Sequence, residues 1–194
     1  MMGRPKSFDQ RAALRSAMEI FWRRGYASTS LDDLLGVMSL SKSSFYAQFK
    51  SKDALYLECL NEYQQMIVDH LEQLRLSSSS MREFLGAVFE EVIADAQSGD
   101  PKGCLIVNSA VEFGQHMPQF SEEVRLALGA VQASFEKALR VGSRDAPFAS
   151  SDSPKVTAKY LTTCISGIRS MIKGGMTVRD AKSVVLKILD SLET

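Results

Sequence analysis

From position 41 to 52 the chain reads Ser-Lys-Ser-Ser-Phe-Tyr-Ala-Gln-Phe-Lys-Ser-Lys. Coiled into a helix, this run sets Phe45 and Phe49 one turn apart on an inner face, as core rather than as stacking platforms. Lys42, Ser43, Ser44, Ala47 and Gln48 then turn the other way. Those side chains match the edges that duplex DNA presents: a lysine reaches a guanine edge or a phosphate, a glutamine an adenine, an alanine a thymine methyl. Tyr46 offers a phenol that can donate to a phosphate while its ring packs on the domain, so it is expected to be both anchor and structure. Lys52 opens the next helix, where its ammonium and the free backbone amides can face one phosphate; the alternative is a solvated surface lysine. Thr29 and Ser30 supply hydroxyls and amides near the DNA backbone, with capping as the competing role, and Ser41 reads as a cap. Arg4 and Lys6 form a basic arm able to lie along a phosphate ridge or in the minor groove.

Elsewhere the chemistry thins out. No GxSxG, HExxH, phosphate-binding loop or GxGxxG element is present, and no Ser/His/acid spacing stands out, so catalytic residues are expected to be absent and the chain is not read as an enzyme. Three cysteines at wide spacing (Cys59, Cys104, Cys164) and two histidines give neither a disulfide framework nor a metal cluster, and no cofactor is implied. Cys104 is expected in the first turn of a helix, where partial positive charge and nearby Lys102 favour thiolate, as in a sensor of oxidants or electrophiles. The competing reading is a small buried residue at a tight helix start. Asn108 and Glu112, one turn apart, are pocket groups or ordinary surface, and His116 closes the same helix in a loop. These four are the candidate ligand or sensing residues.

The elements that must hold these groups are helical. No proline lies between Pro5 and Pro101, and the apolar spacing there repeats at three and four residues. Helices are expected over 8–24, ended by Gly25, then 31–38, 42–49 and from Ser51 to the serine run 77–80. Further helices are expected over 81–97, about 102–114, 118–141, 154–173 and 177–192, with 141–153 as the longest loop. This is an all-α protein of about nine helices. Two short helices joined by a tight turn, the second polar and basic, form a helix-turn-helix whose second member enters a major groove. A unit of that size reads too few bases alone, so a homodimer on a palindromic site is expected. Tyr160, Cys164, Gly167, Ile168 and Met171, with Val178, Ala181, Val184, Val185, Ile188 and Leu192, are candidates for the dimer face, part of which must be intramolecular core.

Against this background the run Gly25-Tyr26 through Leu55-Tyr56 resembles the amino-terminal domain of the tetracycline-repressor (TetR/AcrR) family. Phe21 and Gly25-Tyr26 end helix one, Thr29-Ser30 open helix two, and Ser41-Lys42, Phe45-Tyr46, Phe49 and Lys52-Asp53-Ala54-Leu55 follow in order. Gly3-Arg4-Pro5-Lys6 looks like that family's basic arm. The likeness covers residues 3–63, a third of the chain, and 103–112 looks like a sixth-helix segment recurrent in part of the family. It implies a DNA-binding domain over 1–52 and a ligand-sensing and dimerisation domain over 53–194, whose last two helices form a four-helix bundle with their mates. A repressor released from its operator by a small-molecule inducer is the function implied. An architectural DNA binder whose body meets protein partners is the alternative. Where the family usually has Ala-Gly in the turn, this chain has Met38-Ser39, which allows a recognition-helix tilt different from the family norm; a serine at positive φ there would cost about 1 kcal/mol, which packing elsewhere could offset.

Composition agrees with these expectations. Apolar residues make up 45% of the 194 and charged residues 24%, which excludes disordered and collagenous classes. The longest run without a charged residue, 126–135, is far below the roughly 20 residues that span a bilayer, and residues 1–11 lack the apolar stretch of a secretory signal. No membrane association and a cytoplasmic location are expected. A net charge of zero hides an asymmetry: nine Lys/Arg against four acids through Lys52 make that segment +5 and the remainder −5. A basic head on an acidic body suits a polyanionic partner for the head alone.

Overall fold

The computed structural model describes residues 9–114, 116–145 and 153–192. Among them are nine helices and no strand: α1 Gln10–Arg24, α2 Leu31–Met38, α3 Lys42–Phe49, α4 Lys52–Ser77, α5 Met81–Gln97, α6 Leu105–Phe113, α7 Pro118–Asp145, α8 Pro154–Lys173 and α9 Val178–Ser191. The chain divides into two compact units, 1–62 and 63–194, and α4 contributes residues to both.

In the first unit the local chemistry sets each helix end. Asp9 caps α1 by accepting the Ala12 N–H at 3.1 Å, and Gly25, at φ 82°, ends it with its N–H on the Phe21 carbonyl. Ser30 and Asp33 form a reciprocal capping box on α2: the Asp33 N–H donates to Ser30 Oγ at 3.1 Å and the Ser30 N–H to Asp33 Oδ2 at 2.9 Å. Hydrogen bonds from Ser30 hold the Asp33 carboxyl below its ordinary value, and Arg24 Nη1 adds an ion pair at 3.1 Å. Ala17, Phe21, Leu34, Phe45, Phe49, Leu55, Tyr56 and Leu60 fill the small core.

The turn between α2 and α3 takes the strained form expected of it. Ser39 sits at φ 54°, ψ 42°, in the left-handed region, with the Leu40 N–H bonded to the Leu35 carbonyl at 3.1 Å and the Ser39 N–H to Gly36 at 3.3 Å. That is the helix-ending motif in which glycine is the favoured residue, and Met38 is buried beneath it. Ser39→Gly is therefore expected to stabilise the first unit by up to about 1 kcal/mol, less the extra unfolded-state entropy of glycine. A thermal-unfolding midpoint for this unit that falls in the variant would contradict the account.

In the second unit the core runs through the end of α4, α5, α7, α8 and α9, with Phe84, Leu85, Phe89, Val92, Phe135, Leu161, Ile168 and Ala181 among its members. Phe113 and Phe120 stack at 4.4 Å and join α6 to α7. Glu72 on α4 receives Arg75 Nη2 at 2.8 Å and Lys137 Nζ of α7 at 2.9 Å, and these hydrogen bonds bring its carboxyl down to about 2. Arg169 of α8 pairs with Asp95 of α5 at 2.8 Å.

Two expectations are corrected. Helix α7 runs to Asp145 rather than Val141, because Gly142 and Ser143 are only modestly unfavourable in a helix. The remainder of the expected loop, 146–152, lies outside the described residues. Helix α6 starts at Leu105, not near 102, so Cys104 is its N-cap residue and stands before the first turn, with no side-chain cap bond. Gly103, at φ 74°, breaks the helix there. The part of the candidate dimer face expected to be intramolecular core consists of Ile168, Ala181, Val185, Ile188 and Leu192, which are buried. The α9 stripe packs against α5 at spacings of four, three and four, and only Tyr160, Gly167, Met171 and Val184 of the expected dimer face are exposed.

Candidate nucleic-acid interface

Helix α3 is short, and its two aromatic anchors decide what its other face shows. Phe45 and Phe49 are fully buried, with ring centroids 5.8 Å apart. Lys42, Ser43, Ser44, Tyr46, Ala47 and Gln48 are all exposed. Ser41 caps the helix by accepting the Ser44 N–H at 3.2 Å, and its hydroxyl also meets those of Ser43 and Ser44 at 3.0 and 2.8 Å. Three hydroxyls thus cluster at the start of the helix beside Lys42. Tyr46 stands edge-on to Phe45 at 5.4 Å, which steers its half-exposed phenol outward.

A turn of two residues joins α3 to α4. Lys50 occupies φ 64°, ψ −48°, and the Ser51 N–H closes onto the Phe49 carbonyl at 2.7 Å. This is a γ-turn of the strained hand, rare for a residue with a side chain. Ser51 then caps α4 by accepting the Ala54 N–H at 3.0 Å, so the remaining amides of the first turn and the Lys52 side chain share one end of the helix. Lys52 Nζ lies 4.0 Å from the centroid of the Tyr26 ring. The Tyr26 hydroxyl donates to Asp53 Oδ1 at 2.5 Å, and the Tyr26 ring meets Tyr56 edge-on at 5.2 Å.

The remaining expected contacts fall differently. The Thr29 side chain is fully buried, and its hydroxyl donates to the Gly25 carbonyl at 2.6 Å. It therefore has no surface to offer a phosphate, and the cap is Ser30 alone. Ser30 is exposed but committed to its box with Asp33. Arg4 and Lys6 lie outside the described residues. Reading the residues one at a time missed Tyr26, Asp53 and Lys50. For Tyr26 the usable signal was its place directly after the glycine that ends α1; for Lys50 it was a helix-to-helix gap of only two residues.

In the second unit, Cys104 is half-buried beside the phenol of Tyr63, whose ionisation is pushed well up, first by burial and then by the neighbouring thiol. Asn108 Nδ2 donates to the Lys102 carbonyl at 2.9 Å, tying down the chain before α6. Glu112 and His116 are exposed. A cleft of about 400 Å³ between α6, α7 and α8 is lined by Val107, Leu128, Gln132, Thr162, Thr163 and Ser166, among others. A second, of about 490 Å³ between α5 and α9, has Phe89, Ile93, Val185 and Leu189 in its walls. None of the four expected sensing residues lines either. Among the described residues, no three His, Cys, Asp or Glu side chains gather as metal ligands would, and no helix is long and apolar enough to cross a membrane.

Comparison with known proteins follows the same division of the chain. Residues 13–59 match the profile of bacterial regulatory proteins of the tetR family, and residues 82–177 that of the tetracyclin repressor-like C-terminal domain. The chain is 36% identical over 109 residues to the HTH-type transcriptional repressor ComR of Escherichia coli (strain K12), covering 55% of this chain and 52% of ComR. It is 31% identical over 125 residues to the uncharacterized HTH-type transcriptional regulator YezE of Bacillus subtilis (strain 168), covering 62% of each. The matches thus span between half and two thirds of those relatives. Among solved structures, a cysteine-substituted form of the TetR family transcriptional regulator CifR, complexed with double-strand operator DNA, superposes with a TM-score of 0.85 at 27% identity, over 98% of this chain and 100% of CifR. The reduced form of E. coli NemR shares the fold, with a TM-score of 0.84 at 21% identity over 92% and 93% of the two chains.

Proposed function

The chain belongs to the tetR family of bacterial regulatory proteins, and on that premise we propose that it is a homodimeric DNA-binding transcriptional repressor. It acts in the cytoplasm, holds a palindromic operator and leaves it when a small molecule occupies the second unit. One observation carries the reading. Burial of Phe45 and Phe49 leaves the opposite face of α3, from Lys42 to Gln48, exposed and, apart from Ala47, polar, and Lys52 stands three residues beyond the end of that helix. The CifR complexes with operator DNA support the same use of this fold.

Lys42, Ser43, Ser44, Ala47 and Gln48 are the base-reading set, and Tyr46 and Lys52 hold phosphates. Lys50 joins them as a third phosphate-facing group, because its γ-turn fixes the direction in which the side chain leaves the backbone. On the second unit, exposed Val156, Tyr160, Met171 and Val184 offer apolar surface for a second copy. The inducer enters the cleft between α6, α7 and α8, where hydroxyl and amide groups on an apolar wall suit a small molecule of mixed polarity. Cys104, set against Tyr63 and braced by the Asn108 tie, is the proposed sensing residue, and Glu112 and His116 are surface groups at the far end of α6. Occupancy is expected to weaken DNA binding by a coupling of about 1–3 kcal/mol, and DNA to weaken inducer binding equally.

Nuclease protection of the promoter DNA adjoining this gene tests the proposal. The expected result is a protected inverted repeat with half-sites about 34–36 Å apart along the helix axis. With about three cations per subunit on phosphates, the affinity should fall with salt at a log–log slope near −5. A chain that stays monomeric, or a slope near zero, would overturn it.

A further inference from the structure

We propose that Tyr26 is a positioning residue for Lys52, holding its ammonium at the start of α4 in readiness for a DNA phosphate; this rests on the phosphate-binding role proposed for Lys52. Lys52 and Asp53 carry opposite charges on adjacent residues at one helix end. Left to themselves, the acid competes for the ammonium and repels an approaching phosphate. Tyr26 separates the two. Its ring face lies under the Lys52 Nζ at 4.0 Å, well inside the reach of a cation–π contact. Its hydroxyl meanwhile donates to Asp53 Oδ1 at 2.5 Å, orienting that carboxylate toward the phenol.

The platform is itself fixed. Tyr26 meets Tyr56 edge-on at 5.2 Å, and Tyr56 meets Phe21 edge-on at 4.8 Å. Tyr56 and Phe21 are 1% exposed, so the ring rests on the core of the first unit rather than on another mobile side chain. A lysine stem has several free rotors, and ordering them before DNA arrives removes part of the entropic cost of the contact. An exposed cation–π contact is weaker than a charge-assisted bond to phosphate, so the ring orders the lysine without withholding it.

The test is a double-mutant cycle on the full chain, with sheared mixed-sequence duplex DNA as the probe, since a phosphate contact needs no particular sequence. Lys52→Ala is expected to lower affinity and reduce the salt slope by about two for a dimer; if it changes neither, the phosphate role of Lys52 fails. Tyr26→Leu is expected to weaken binding roughly two- to fivefold per subunit in the parent chain and to have no effect once Lys52 is alanine. The same loss in both backgrounds would make Tyr26 merely structural and overturn the proposal. Tyr26→Phe keeps the ring and should restore most of the loss; a phenylalanine variant as weak as leucine would overturn the role of the ring. Should Tyr26→Leu fail to fold, proton NMR of the parent chain still decides: the Lys52 ε-methylene signals must lie upfield of ordinary lysines, and unshifted signals refute the contact.

Discussion

Replacing Tyr46 and Lys52 together by alanine is expected to lower the affinity of the full chain for duplex DNA by roughly a hundredfold or more at moderate salt, with its fold intact. Each side chain is proposed to give one hydrogen bond to a phosphate anion. Bonds to charged groups are worth about 1.5–3 kcal/mol each, so losing the pair costs about 3 kcal/mol or more per subunit. Stability should change little, because Tyr46 is 47% exposed and Lys52 is also partly exposed. Titration with labelled duplex, beside a thermal-unfolding curve, checks both halves. Affinity that survives the double substitution would remove the ground for treating α3 and the start of α4 as a reading head.

A second large effect is expected from Phe45→Ala, a residue that meets no solvent. Phe45 is fully buried, and emptying such a site costs about 3–5 kcal/mol from lost transfer energy and the cavity left behind. Residues 1–62 form a unit of their own, and domains near 60 residues have little stability to spare. The loss should therefore unfold the first unit while leaving the larger second one folded. Calorimetry should show one transition near its original temperature and another shifted far down or absent, with DNA binding abolished. One unshifted transition would mean that the aromatic anchors of α3 do not support the reading face.

These expectations show how much of the molecule could be read from residue order. Local rules settled the helices of the first unit: the Ser30–Asp33 box, the Ser41 and Ser51 caps and the glycine after Arg24 are short-range devices, and each sits where its spacing places it. The inward turn of Phe45 and Phe49 followed from helical periodicity, whereas the positive φ at Ser39 was suggested by the resemblance, which has a glycine at that place. The start of α6 did not follow, since Lys102 and Cys104 carry no strong helix signal either way and Gly103 tolerates several conformations. Nor did the division of the α8 and α9 stripes: an apolar row has the same pattern whether it meets its own chain or a second copy.

Residue order was thus enough for an all-helical chain with a polar, basic second helix in a helix-turn-helix, because capping, turns and periodicity act over three or four residues. Folding in three dimensions settled the rest. It buried the Thr29 hydroxyl against Gly25, gave the α9 row to α5, and laid the Lys52 ammonium over Tyr26, twenty-six residues away. Such outcomes depend on which distant surfaces compete for one side chain, and that competition has no periodic trace in the order of residues.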